Sequence, residues 1–129
     1  MSELTQALAQ EILAMPALSG PDWDAYALVG EVGDDRVAIT GYRYTWSGPP
    51  VPTPVPMVYD LLGELRDTTR APDGSAWDVV LVKLRRDTGS LAIDYVSGDA
   101  ADAWRISPAT LDGLPEALRP RPEDFPPTA

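Results

Sequence analysis

The sequence predicts an α+β fold: a four-stranded antiparallel sheet made of two hairpins, in the order α-ββ-α-ββ-α, with helices packed mainly on one face. Three observations predict it. Apolar residues recur at helical spacing in three separate segments. Two pairs of segments rich in β-branched and aromatic residues are each joined by a short Gly/Asp turn. Two hairpins in one chain merge most simply into one antiparallel sheet, which packs helices on one face and leaves the other to solvent.

The first helix rests on Leu4, Leu8, Ile12 and Met15, with Ala7 and Ala14 on the same side. Ser2 is placed to cap it and Glu3 to suit its first turn, while Pro16 and then Ser19-Gly20-Pro21 end it. Asp22–Val32 is the first strand, with Tyr26, Leu28 and Val32 on one parity and Trp23, Ala25, Ala27 and Val29 on the other. Gly33-Asp34-Asp35 turns it into a second strand, Arg36–Trp46.

Ser47–Pro56 carries five prolines in SGPPVPTPVP. A segment with so few backbone N–H groups is expected to stay outside any sheet, as a stiff polyproline-like connector. Val58, Leu61, Leu62 and Leu65 make the apolar stripe of a second helix, Met57–Arg70, weakened at Gly63 by about 1 kcal/mol relative to alanine. Pro72-Asp73-Gly74 is a turn. Trp77–Arg86 is the most strand-like stretch of the chain, and Asp87-Thr88-Gly89 returns it as Leu91–Val96. Gly98–Arg105 reads as a loop holding Trp104. Ser107-Pro108 starts a short third helix with Leu111, Leu114 and Leu118 on its apolar face. One domain over residues 1–122 is expected, with a frayed proline-rich tail over 123–129.

Composition narrows function. The 129 residues hold 20 acids and 10 bases, for a net charge of −10. Nucleic-acid binders draw affinity from Lys and Arg through counterion release, and anionic membranes select the same residues. This chain has a single lysine, Lys83, and no basic block, so neither nucleic acid nor membrane is an expected partner. A cationic protein is the natural complement. The sequence has no histidine and no cysteine. That removes the usual zinc sites, disulfides, thiol nucleophiles and the Ser-His-Asp triad. The acids fall in no calcium-loop pattern, the glycines in no phosphate-cradling one, and no cofactor is expected. The amino terminus lacks the basic start and apolar run of a signal peptide, so the expected location is cytoplasmic.

Two features remain as candidate binding elements. Tyr42, Tyr44 and Trp46 share one side of the second strand, opposite Val37, Ile39 and Gly41. If helices cover Val37 and Ile39, the aromatics stand on the open face as partner anchors; otherwise they are core, or lie beneath the loop prolines or the C-terminal segment. The second feature is acidic: Asp34, Asp35, Asp87, Asp94, Asp99 and Asp102 lie in turns or beside the second hairpin, either as a phosphate mimic for a basic site or as a solvated surface.

Asp73-Gly74-Ser75-Ala76-Trp77 leads into VVLVKLRRDTGSLAIDYV, followed by Trp104 and the closing LRPRP. Upstream lie an amphipathic helix, a strand opened by Trp23, and the Tyr42-x-Tyr44 strand. Over roughly Leu4–Pro122 this pattern resembles the YezG-like family of bacterial immunity proteins. The resemblance implies an antitoxin of a polymorphic toxin system, silencing a toxin, often a nuclease, delivered by type VII secretion. It implies no catalytic residue. The expected function is therefore a non-enzymatic immunity protein that occludes a basic toxin. Tyr42, Tyr44 and Trp46 are the expected apolar anchors, with Asp94, Asp99 and Asp102 the charged part. The alternatives are a secretion-associated chaperone or adaptor that binds an effector without inhibiting it, and an enzyme using carboxylates alone.

Overall fold

The structure is a computed structural model that describes residues 3–20, 22–33 and 37–125, except for the side chains of residues 109 and 111. The elements are α1 (Glu3–Leu13), β1 (Ala25–Val32), β2 (Val37–Tyr44), β3 (Val51–Thr53), α2 (Tyr59–Thr68), β4 (Val79–Arg85), β5 (Leu91–Val96), α3 (Pro108–Leu111) and α4 (Leu114–Ala117). Single 3-10 segments lie at Pro16–Leu18, Gly98–Trp104 and Pro122–Asp124. The sheet order is β3-β2-β1-β4-β5, with every neighbouring pair antiparallel.

Both expected hairpins form. β1 pairs with β2 from Ala25↔Tyr44 to Val32↔Val37, and β4 with β5 from Val79↔Val96 to Leu84↔Leu91. The two merge through β1 and β4, so β1 sits at the centre and every one of its residues is buried. The connecting Asp34 and Asp35, like the expected cap Ser2 and the stop residue Pro21, lie outside the described residues.

One expectation fails at the proline run. The sheet has five strands rather than four, because Val51–Thr53 joins as β3 beside β2. An edge strand tolerates proline when its nitrogen is turned away from the neighbour. Pro52 lies opposite Tyr42, and the Arg43 N–H beside it donates to Thr53 Oγ1 at 3.0 Å. The stiff connector thus closes one side of the sheet instead of merely crossing it.

The two sheet faces carry separate cores. On the first, Tyr26, Leu28 and Val32 of β1 and Val80, Val82 and Leu84 of β4 meet Leu8 and Ile12 of α1 and Leu62 and Leu65 of α2. Two glycines let these parts close. Gly30 makes the notch that α2 enters: a Cβ there would lie 2.9 Å from Leu62 Cδ1 and 3.1 Å from Val80 Cγ1. Gly41 lies under the Tyr26 ring, where a Cβ would come within 2.8 Å of Cζ. Trp23, expected on the other parity, turns into this first core before the strand begins, and its indole N–H donates to Leu18 O at 3.1 Å.

The second face is not open to solvent, which corrects the one-faced packing expected above. Ala27, Val29, Tyr42, Tyr44, Val79 and Leu81 are buried beneath Ala101, Leu114 and Leu118, with Trp104 and Ile106 alongside. The C-terminal segment is therefore a second layer. The physical reason is the apolar content of that face. Leaving Val29, Leu81 and two tyrosine rings exposed would forgo roughly 25 cal/mol for each Å² that can be buried. The tail contributes too: Phe125 is buried, and Asp124 pairs with Lys83 at 3.2 Å. Of the tail expected from 123 onward, only residues 126–129 fall outside the described part.

Candidate partner-binding surface

Each candidate residue has a definite place. Tyr42 and Tyr44 lie on the face opposite Val37 and Ile39, as the alternation predicts, but they are buried rather than exposed. Tyr44 Oη donates to Pro115 O at 2.7 Å, and the Arg119 guanidinium sits 5.2 Å from the Tyr44 ring centre. Arg119 also donates to Thr45 O and Gly48 O, at 3.2 and 2.7 Å. Tyr42 meets Tyr44 edge-on, with centroids 6.5 Å apart. Burial pushes the Tyr44 phenol well above its usual range, with the neighbouring Tyr42 adding to the effect. These two rings are clasped by the chain's own C-terminal segment, so the expectation that they anchor a partner is corrected.

Trp46, expected on the same strand, lies two residues past the end of β2 and is half-buried, with the Arg85 guanidinium 5.4 Å from its ring centre. Its backbone N–H donates to Asp24 Oδ2 at 2.9 Å. Arg85 is held in turn by Asp87 at 2.7 Å, and that pairing keeps the Asp87 carboxyl below the usual carboxylate range.

The three acids are exposed. Asp94 lies on β5, and Asp99 and Asp102 on the 3-10 segment that follows. Asp102 pairs with Arg105 at 3.0 Å, and Arg105 reaches Glu31 on β1 at 3.1 Å. These two carboxylates, Asp102 first, hold the guanidinium firmly charged. Asp94 and Asp99 have no ion-pair partner among the described residues. From Asp87 to Trp104 the chain holds four aspartates and no base. The structure thus leaves Asp94, Asp99 and Asp102 exposed on β5 and the 3-10 segment that follows it, leaves Trp46 half-covered, and buries Tyr42 and Tyr44.

An aromatic that the sequence reading passed over stands on β5 as well. Tyr95 is 42% exposed and stacks on the buried Trp77, with centroids 5.4 Å apart and planes 25° apart. The Trp77 indole N–H donates to Thr69 Oγ1 at 2.8 Å. Together with Thr69, Ala71, Ser75, Ala76 and Ser97 the pair lines an open groove of about 270 Å³. The available signal was Tyr95 sharing parity with Leu91 and Ile93 at the end of an outer strand. The packing of Trp77 against it could not be read from alternation.

The groove offers hydroxyls and aromatic faces but no carboxylate or base. Two carboxylates do meet in a smaller cleft of about 120 Å³ lined by Glu31, Asp78 and Arg105, but both are engaged. Glu31 accepts from Arg105, and Asp78 accepts the Gly98 N–H at 3.1 Å. No group of three or more acids able to hold a metal ion occurs among the described residues. No helix there is long and apolar enough to cross a membrane. No family model matches the chain, and no curated protein matches it.

Proposed function

We propose that this chain is an immunity protein that binds and occludes a cationic secreted toxin, acting in the cytoplasm and catalysing nothing itself. The observation that carries the reading is the margin of β5 and the following 3-10 segment. Asp94 and Asp99, without an ion-pair partner among the described residues, lie there beside the exposed Tyr95 in the chain, which carries a net charge of −10. A nuclease holds its substrate's phosphates with a basic surface, and carboxylates in that arrangement stand in for phosphate. Long-range attraction steers encounter, and the aromatic supplies area at the centre of contact. The resemblance to YezG-like immunity proteins supports the same reading and suggests a polymorphic toxin of type VII secretion as the partner class.

The test uses the product of the gene immediately upstream as the toxin. The triple variant Asp94→Asn, Asp99→Asn, Asp102→Asn is expected to slow association about tenfold at low salt and to flatten its salt dependence. An unchanged rate and slope would remove these acids from the interface. Toxin activity in the presence of pure protein separates an inhibitor from a secretion adaptor, since an adaptor leaves activity intact.

A further inference from the structure

We infer that the free edge of β5 accepts an extended, cationic segment of the partner as a sixth strand, with one of its apolar side chains seated in the Trp77–Tyr95 groove. This inference rests on the proposed reading of the margin as a site for a basic protein, and narrows it to one edge and one conformation.

The backbone supplies the template. Arg85 N–H bonds to Ser90 O, and the register runs on through Lys83↔Ala92, Leu81↔Asp94 and Val79↔Val96. In an antiparallel ladder these pairs turn their backbone groups toward each other, so the alternate residues Leu91, Ile93 and Tyr95 turn theirs outward. No other strand lies outside β5 among the described residues. On the opposite side, β3 spans only Val51–Thr53, contains Pro52 and is bracketed by Pro50 and Pro54, and beyond it Val37–Thr40 of β2 lacks an outer strand. β5 therefore offers the longest proline-free edge of the sheet, six residues against the run of four in β2 that β3 leaves uncovered.

Side chains define what pairs there. Successive residues of an added strand alternate between the two faces. On one face they arrive beside Ile93, Tyr95 and the groove. On the other they arrive beside exposed Asp94, on the strand that leads into the segment carrying Asp99 and Asp102. A segment alternating apolar and basic residues satisfies both. A second copy of this chain does not, because it brings its own −10 charge and its own run of aspartates to the same edge.

The experiment measures amide hydrogen exchange of the intact wild-type protein with two probes: a short blocked peptide of alternating valine and lysine, and an oligolysine of the same charge. The alternating peptide is expected to slow exchange at Leu91, Ile93 and Tyr95 by about tenfold or more, and oligolysine to leave them unchanged. Equal effects of both probes, protection elsewhere, or no protection would overturn the sixth strand. So would a concentration-dependent dimer protecting the same amides without peptide. Ile93→Pro removes an outward N–H without touching the β4 ladder, and is expected to abolish the protection. Full toxin inhibition by a folded Ile93→Pro protein would refute the strand while leaving the inhibitor reading intact. Edge protection by the peptide without inhibition of the toxin would do the reverse.

Discussion

Replacing Tyr44 by phenylalanine isolates one of the bonds that fasten the C-terminal layer to the sheet. The variant keeps the buried ring, its edge contact with Tyr42 and the Arg119 guanidinium above it. It loses only the hydroxyl that donates to Pro115 O. A net hydrogen bond contributes about 0.5–1.5 kcal/mol, and an orphaned buried acceptor costs about 1–3. Pro115 is only half-buried, so water can reach its carbonyl, and the expected loss is about 1–1.5 kcal/mol. An unfolding entropy of about 2.1 cal/mol/K per residue makes each kcal/mol worth about 4 °C in a chain of this length. Calorimetry should therefore show Tm lower by about 4–6 °C. Exchange should quicken at the Ala117 and Leu118 amides, which bond within the cap to Gly113 O and Leu114 O. The β1 amides should slow or quicken only with global stability. An unchanged Tm together with unchanged exchange at Leu118 would mean that the Tyr44–Pro115 bond does not hold this layer in place.

Further outcomes follow from the same geometry. Tyr26 and Tyr44 both have phenols raised above the ordinary value of 10.0 by burial, so their contribution is complete below pH 10 and is lost as pH rises beyond it, when only the unfolded chain ionises easily. Urea titrations between pH 9 and 11 should show this fall, and Tyr44→Phe should make it shallower. Gly41→Ala sets a methyl group against the Tyr26 ring, and should cost about 1–3 kcal/mol in a denaturant melt. Leu118→Ala, at a fully buried position of the second core, should cost about 2–5 kcal/mol by the same measurement. Glu116 and Asp87, held below the usual range by Arg119 and Arg85, contribute stability above their unfolded pKa that is lost as pH falls. Neutralising either should leave thermal unfolding at pH 7 nearly unchanged, because both groups are exposed.

Much of this architecture was legible in residue spacing. The period of Leu4, Leu8, Ile12 and Met15 located α1, and Leu91–Val96 was placed to the residue. Alternation assigned Tyr42 and Tyr44 to the face opposite Val37 and Ile39. Alternation says which side a residue takes but not what arrives to cover that side. Here the cover comes from Gly98–Phe125, whose short 3-10 and α turns carry too few residues to show a period. The proline run misled for a related reason: proline forbids a central strand, whereas the edge position that admits it depends on tertiary placement. The acidic margin was visible as composition. Its aromatic neighbour Tyr95 was not, because its exposure depends on stacking against Trp77 from another strand.

The C-terminal layer also fixes when the molecule becomes complete. The sheet strands and both helices of the first face are synthesised before Val96 is passed, yet the second face waits for Ala101, Leu114 and Leu118. Until those residues leave the ribosome, Val29, Leu81 and two tyrosine rings face water. A message truncated before Leu114 therefore yields a chain with its strands but a bare apolar flank, the kind of species chaperones and proteases capture. Synthesis through Leu118 is what closes the second face.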